Sequence, residues 1–80
     1  MPSNTFLEGL MLSLSSEQKA EIQATDKEYV NFYVSVFNAG VVVRTEVSDT
    51  PLEIDADTWN GYDCSLYTSD VRELITKFRP

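Results

Sequence analysis

The chain has 80 residues, of which 13 are Asp or Glu and 6 are Lys or Arg, so its net charge at neutral pH is -7. Its length suits one domain, and its hydrophobic content of 42% predicts a compact core and excludes general disorder. The charge disfavours direct binding to nucleic acid or to anionic lipid and favours binding to basic surfaces.

Two short helices are predicted in the first 25 residues. Thr5 and Glu8 have the spacing of a capping box, and apolar residues follow them at helical intervals. The run of Ser, Ser, Glu and Gln at positions 15–18 is typical of a second helix start. Residues 20–25 also alternate between apolar and polar side chains, so an edge strand is the alternative there, although the helix is favoured.

A β-hairpin is predicted next, from residues 29–37 and 41–48, which are rich in β-branched and aromatic side chains. Pairing Val36 with Val41 places apolar residues and one threonine on a single face, which suits the core, whereas a shift by one residue brings charged side chains into that core. The connection should therefore contain an even number of residues, two or four. The opposite face then carries Tyr29, Asn31, Tyr33, Ser35, Arg44, Glu46 and Ser48, with a cation–π contact between Arg44 and Tyr33.

The remaining elements are one or two strands and a helix. Residues 52–57 alternate between apolar and acidic side chains, which predicts a third strand, and residues 62–67 form a short fourth strand or a loop. Asp70 and Glu73 predict a capping pair for a last helix, whose apolar stripe is Val71, Leu74, Ile75 and Phe78. We therefore expect residues 1–80 to form a single compact acidic α+β domain, a three- or four-stranded antiparallel sheet packed on one face by two or three short helices.

Several kinds of catalytic and metal site are excluded by composition. The chain has no histidine and one cysteine, Cys64, which rules out Ser-His-Asp and Cys-His arrangements, a zinc site and an internal disulfide. The acidic run from Asp55 has some features of a calcium-binding loop, but Trp59 and Asn60 stand where that loop needs an oxygen ligand and a glycine. We expect no enzymatic activity, no cofactor and no dedicated metal site, and we favour a buried apolar Cys64 over a reactive thiol.

The acidic residues concentrate in the second half of the chain. No Lys or Arg occurs between Arg44 and Arg72, so we expect the seven carboxylates of this interval to lack a counter-ion. They are those of Glu46, Asp49, Glu53, Asp55, Asp57, Asp63 and Asp70. On the predicted third strand, Glu53, Asp55 and Asp57 share one face at intervals of about 6.6–6.8 Å, which approximates the separation of successive phosphates along a nucleic-acid strand. Four aromatic side chains lie among or near these charges as candidate anchors, those of Tyr33, Trp59, Tyr62 and Tyr67.

Two interpretations of these carboxylates compete. Taken one residue at a time, they are better explained as a solvated face that keeps the protein soluble and protects an edge strand. Taken together, the features of the chain favour the second interpretation, in which the row of carboxylates imitates nucleic-acid phosphates in the basic groove of another protein. These features are the small size, the charge of a single sign, the aromatic residues and the absence of catalytic groups. The predicted partner-binding residues are Tyr33, Glu46, Glu53, Asp55, Asp57, Trp59, Tyr62 and Asp63.

In size and charge the chain resembles the small acidic inhibitors of bacteriophages and mobile elements, which include anti-restriction and anti-CRISPR proteins. The hypothesis is therefore that the protein is a non-catalytic inhibitor of a basic, nucleic-acid-binding protein. We expect it to be a monomer or small homo-oligomer and to bind neither nucleic acid nor membrane directly. The alternatives are an immunity or antitoxin-like protein that neutralises a basic toxin, and a small assembly or adaptor subunit. The first residues lack a signal-peptide pattern and no apolar stretch is long enough to span a bilayer, so we expect a cytoplasmic protein, in its own cell or in a host's.

Overall fold

The computed structural model describes residues 4–38, 40–53 and 62–79. Its elements in chain order are α1 (Asn4–Ser13), α2 (Ser16–Ala24), β1 (Tyr29–Phe37), β2 (Gly40–Ser48), β3 (Cys64–Tyr67) and α3 (Thr68–Lys77). The strands form one antiparallel sheet in the order β2-β1-β3, so β1 lies in the centre. The helices pack on this sheet, which confirms the predicted α+β class.

β1 and β2 form the predicted hairpin in the predicted register. The opposed pairs include Val36–Val41, Val34–Val43, Phe32–Thr45, Val30–Val47 and Tyr33–Arg44. The connection contains two residues, 38 and 39, an even number as expected. β2 begins at Gly40 with a φ of 135°, a conformation that residues with a Cβ atom rarely adopt.

The core lies between the helices and the apolar face of the sheet. Val30, Phe32 and Val34 point to this face from the central strand and are almost fully buried. Helix residues at intervals of three and four cover them, as the period of an α-helix requires. The buried hydrophobic residues are Leu10, Met11, Leu14, Ile22, Val30, Phe32, Val34, Val43, Val71 and Ile75, with Leu74 and Phe78 packed against them, so the predicted stripe of α3 is confirmed.

Helix α2 is present in place of the alternative edge strand, and side chains hold both of its ends. Ser15 Oγ accepts a hydrogen bond from Gln18 N at 3.1 Å and Gln18 Oε1 accepts one from Ser15 N at 2.8 Å, which completes a capping box. At the other end, Arg72 of α3 donates to the carbonyl oxygens of Ile22, at 3.1 Å, and of Thr25. The guanidinium thus satisfies carbonyls at a helix C-terminus, where positive charge is also favoured.

The predicted start residues of the first and last helices are wrong. Thr5 lies inside the first turn of α1, which begins one residue earlier. α3 begins two residues before Asp70, which was predicted as its cap. Its first residue, Thr68, donates from its backbone N–H to Glu28 O at 2.8 Å and from Oγ1 to Lys27 O at 2.7 Å. β3 continues into α3 without a connecting loop. The contacts of Thr68 with the residues just before β1, which are distant in sequence, therefore determine where this helix starts.

The third strand predicted over residues 52–57 is wrong where the structure describes it. Leu52 and Glu53 belong to no strand, and residues 54–57 lie outside the described residues. The free edge of β1 is occupied by β3 instead. A short strand within residues 62–67, which was one of two alternatives, is thereby confirmed.

Asn31 lies on the face of the sheet opposite the helices, which we call the outer face, yet only 2% of its surface is exposed. Its Nδ2 donates to Glu46 Oε1 and to Thr50 O, both at 3.1 Å, and its Oδ1 accepts from Ser65 Oγ at 2.6 Å. Ser65 Oγ in turn accepts from Leu52 N at 2.7 Å. The chain that follows β2 therefore crosses the outer face and covers Asn31 there.

We expect the substitution Asn31→Ala to lower the free energy of unfolding by about 1–3 kcal/mol, because it removes the three hydrogen bonds of a buried amide, one of them to a carboxylate. Urea denaturation followed by circular dichroism measures the change. Ser35→Ala, on the same strand and face but exposed, is the matched control and should change this free energy by less than about 0.5 kcal/mol. Equal effects of the two substitutions would show that the amide network does not stabilise the fold.

Candidate functional site

Two of the predicted partner-binding residues, Tyr33 and Glu46, lie together on the outer face. Tyr33 Oη donates a hydrogen bond to Glu46 Oε1 at 3.4 Å, and the guanidinium carbon of Arg44 lies 5.0 Å from the centroid of the Tyr33 ring. The cation–π contact predicted from the register is therefore present. Both contacts follow from the pairing, because Arg44 lies opposite Tyr33 and Glu46 is its diagonal neighbour on the same face.

The surroundings of Tyr33 favour the protonated form of its hydroxyl. Burial raises the pKa of Tyr33 above its ordinary value, and the negative charge of Glu46 and the hydrogen bond to it raise this pKa further, while Arg44 opposes the shift. The Glu46 carboxylate also accepts from Asn31. Part of the hydrogen-bonding capacity of Glu46 is thus used inside the protein, although its side chain is exposed.

Asp63 directly precedes β3, and its side chain adds one hydrogen bond to the sheet beyond the end of that strand. Its Oδ1 accepts a hydrogen bond from Val34 N at 2.7 Å. Among the described residues, the pairing of β1 with β3 begins with Phe32 and Cys64, so the backbone of Val34 lies just beyond the ladder. A carboxylate oxygen takes the place of the backbone carbonyl that a longer strand would supply there. Asp63 therefore has a structural role, whatever it contributes to binding.

The acidic segment of residues 53–63 adjoins the sheet at both ends. Leu52 N–H donates to Ser65 Oγ immediately before it, and Asp63 accepts from Val34 N–H at its end. Glu53 is exposed beside the first of these attachments. The other predicted contacts of this segment, Asp55, Asp57 and Trp59, lie outside the described residues.

Tyr62 is not grouped with Tyr33 and Glu46, because it lies on the helix side of the sheet. The centroid of its ring is 6.4 Å from that of Phe6, with the two rings stacked. Both rings line an apolar groove of about 250 Å³ between α1 and the hairpin. No charged side chain of the described residues lines this groove, so Tyr62 belongs to an apolar surface and not to an acidic one.

The end of the hairpin exposes four apolar side chains on both faces. The exposed fractions are 62% for Val36, 60% for Phe37, 54% for Val41 and 52% for Val42. The pair Val36–Val41 was expected in the core, and this expectation is wrong because the core ends one pair earlier, at the buried Val34 and Val43. The sequence does carry a signal: apolar residues occupy consecutive positions on both sides of the turn, so no single face can bury them all.

Most carboxylates of the described residues are exposed and lack a counter-ion. The ten exposed ones are Glu8, Glu17, Glu21, Asp26, Glu28, Glu46, Asp49, Glu53, Asp70 and Glu73. Among them, Asp49 forms an ion pair within the described chain, with Lys27 Nζ at 3.2 Å. The hydrogen bond from Lys27, and then that from the Glu28 N–H, lower the pKa of Asp49. The prediction of seven carboxylates without a counter-ion is therefore wrong for Asp49.

Other kinds of site find no support in the described part of the chain. No group of three or more His, Cys, Asp or Glu side chains is placed there to hold a metal ion. No helix there combines the length and the apolar character needed to cross a membrane. No family model, curated protein or solved structure matches this chain.

Cys64 is a half-buried, free thiol at the start of β3. Burial, and then the neighbouring charge of Asp63, raise the pKa of Cys64 to about 11. At pH 8 only about one such thiol in a thousand is ionised. Because the thiolate is the nucleophile, this environment makes the thiol unreactive.

We expect native Cys64 to react with iodoacetamide at pH 8 about two hundred times more slowly than the urea-unfolded chain, in which the thiol pKa returns to about 8.5. The alkylated fraction measured by mass spectrometry over time gives both rates. The native rate should rise about tenfold for each pH unit between pH 8 and pH 10, since the thiolate fraction does so. Cys64→Ser is the control for other modified groups, and equal rates in the native and unfolded states would contradict the raised pKa.

Proposed function

We propose that this protein is a non-catalytic inhibitor that binds a basic, nucleic-acid-binding protein and occupies its groove in place of DNA or RNA. The observation that carries the proposal is the surplus of exposed carboxylates. Of the ten exposed ones in the described residues, nine have no ion-pair partner there. Such a surface attracts positively charged grooves and repels nucleic acid itself.

The contact region is the acidic segment of residues 53–63 with the adjoining outer face. Glu53, Asp55 and Asp57 stand in for phosphates, and Trp59 is an aromatic anchor. The backbone next to Glu53 is hydrogen-bonded to the sheet through Leu52 N–H. This attachment supports the proposal, because a group presented from fixed backbone loses less conformational entropy on binding.

The predicted residues that lie on the sheet have more limited roles in this proposal. Glu46 and Asp63 add negative charge to the outer face, but each also accepts hydrogen bonds within the protein. Tyr33 supplies part of a flat surface beside them. Tyr62 contacts the partner only if the partner also reaches the apolar groove on the helix side.

A pull-down from cytoplasmic extract with the tagged protein identifies the target. Bound proteins are eluted with a salt gradient and identified by mass spectrometry. We expect a basic nucleic-acid-binding protein to elute when the Debye length falls below about 8 Å, as charge-driven binding requires. Purified target should also be released by excess DNA or RNA. A target that stays bound in excess nucleic acid would contradict competition for one groove.

We expect the double substitution Asp55→Asn and Asp57→Asn to weaken binding to this target by about 1 kcal/mol for each carboxylate, which is about fivefold in Kd each. Titration calorimetry at two salt concentrations measures the affinity. The dependence of Kd on salt should also become shallower, since fewer charges take part.

The matched control is the pair Glu8→Gln and Glu73→Gln, which removes two exposed carboxylates on α1 and α3. If the control weakens binding as much as the double substitution in the acidic segment, the net charge acts without a defined site. If neither pair changes the affinity, the carboxylates are a solvated surface and the proposed mechanism is wrong.

A second candidate function, that of a small assembly or adaptor subunit, is favoured by the apolar end of the hairpin. Phe37 and Val42 are more than half exposed, as are two valines on the other face. A complex or oligomer held by this surface should persist in about 1 M salt, which screens charges but not apolar contacts. Light scattering at low and high salt measures it, and the substitutions Phe37→Ser and Val42→Ser should dissociate it. A monomer at both salt concentrations would exclude self-assembly.

A further inference from the structure

β2 forms an edge of the described sheet, and its backbone groups face β1 and the outside alternately. Val34 N–H donates to Asp63 and so points away from β2. Val34 and Val43 are therefore a non-hydrogen-bonded pair of the antiparallel ladder. Since such pairs alternate with hydrogen-bonded ones, the outward N–H and C=O groups of β2 are those of Val41, Val43, Thr45 and Val47.

A side-chain contact at this edge agrees with that assignment. Gln18 Nε2 donates to the outward carbonyl of Val43 at 2.9 Å, so α2 covers the middle of the edge. No side chain of the described residues hydrogen-bonds to the outward groups of Thr45 or Val47. These two residues offer two donors and two acceptors at the spacing that an added strand requires.

The space beside Thr45 is a groove between α2 and β2 with a surplus of negative charge. It consists of two adjoining pockets that share Glu21: Glu46 lines the one towards the outer face, and Glu17 lines the one towards α2. Arg44 lines it as well, but its guanidinium lies over an aromatic ring of the outer face. An added side chain opposite Thr45 points to the helix side, near Glu21, and the next one points outward, beside Glu46. A basic residue suits both positions.

A second copy of this chain is a poorer occupant of the edge. If Thr45 pairs with Thr45 of another copy, Val43 must pair with Val47, yet Gln18 already bonds to the Val43 carbonyl. If Thr45 pairs with Val47 of the other copy, the two Glu46 side chains lie directly opposite each other, which is destabilising. Both registers also bring two acidic grooves together.

We propose that the outer edge of β2 at residues 45–47 binds an extended basic segment of another protein, which adds to the sheet as a strand antiparallel to β2. The backbone groups of Thr45 and Val47 supply the hydrogen bonds, and Glu21 and Glu46 select lysine or arginine at two consecutive positions. Apart from Glu46, this surface uses none of the residues of the proposed function, so either can hold without the other.

The test uses the full chain and the peptide acetyl-Thr-Val-Lys-Lys-Thr-amide, whose lysines lie opposite Glu46 and Thr45. In an NMR titration, we expect the amide signals of Thr45 and Val47 to shift and their hydrogen exchange to slow about tenfold or more at saturation. Methylation of the backbone nitrogen of the second lysine, whose N–H faces Thr45, should abolish binding. The same methylation at the first lysine, whose N–H faces away from β2, should have little effect.

Variants of the protein test the same contacts from the other side. Thr45→Pro removes an outward N–H and leaves the bonds to β1 in place, a change that edge strands tolerate. It should weaken peptide binding about tenfold or more. Thr45→Val keeps the N–H and is the matched control. Glu21→Gln should weaken binding about threefold, and Glu8→Gln, the same change on α1, should not. If Thr45→Pro does not fold, the two methylated peptides test the same hydrogen bond.

Equal binding of the two methylated peptides would overturn the proposal. So would signal shifts confined to the hairpin end or to residues 49–53, because the peptide would then use another surface. Equal binding of a peptide with glutamate in place of lysine would refute the charge selection. Protection of the Thr45 amide in a dimer without peptide would show that a second copy occupies the edge.

Discussion

Asn31 joins three parts of the chain on the central strand. Its amide group bonds to Glu46 on β2, to Thr50 in the segment after β2, and to Ser65 on β3. A buried amide is costly unless its donors and its acceptor have partners. Since all of these partners come from other segments, they must be in place before β1 can be covered on both faces. These bonds also determine where Glu53 lies, because the chain departs from the sheet at this residue, directly after the hydrogen-bonded ones.

The hairpin could be predicted residue by residue because its side chains obey a single rule. Only one register keeps Arg44 and Glu46 out of the core, and the structure has that register. The third strand could not be predicted in the same way. The alternation of apolar and acidic residues at 52–57 is typical of a strand, but it does not indicate which segment of the chain pairs with the free edge of β1. Equally, a polar side chain at position 31 gives the same pattern whether water or a buried network satisfies it.

The candidate site was predictable where it depends on the register and unpredictable where it depends on the connections. Tyr33 and Glu46 meet because their strands pair as expected. Tyr62 lies on the helix side, which depends on how the chain enters β3. The ion pair between Lys27 and Asp49 joins residues 22 apart, on either side of the hairpin, so a count of charges along the sequence cannot detect it.

The central strand receives one neighbour from the adjacent sequence and the other from far along the chain. β2 follows β1 after two residues, and hairpins of this kind form in about 1–10 μs. The bonds that bring β3 and α3 to the sheet span 41 residues between Thr68 and Lys27 and 50 between Arg72 and Ile22. A chain that leaves the ribosome residue by residue can therefore form the hairpin once residue 48 is free. Closure of the sheet, and burial of the core under α3, must wait for residues 64–77 to follow.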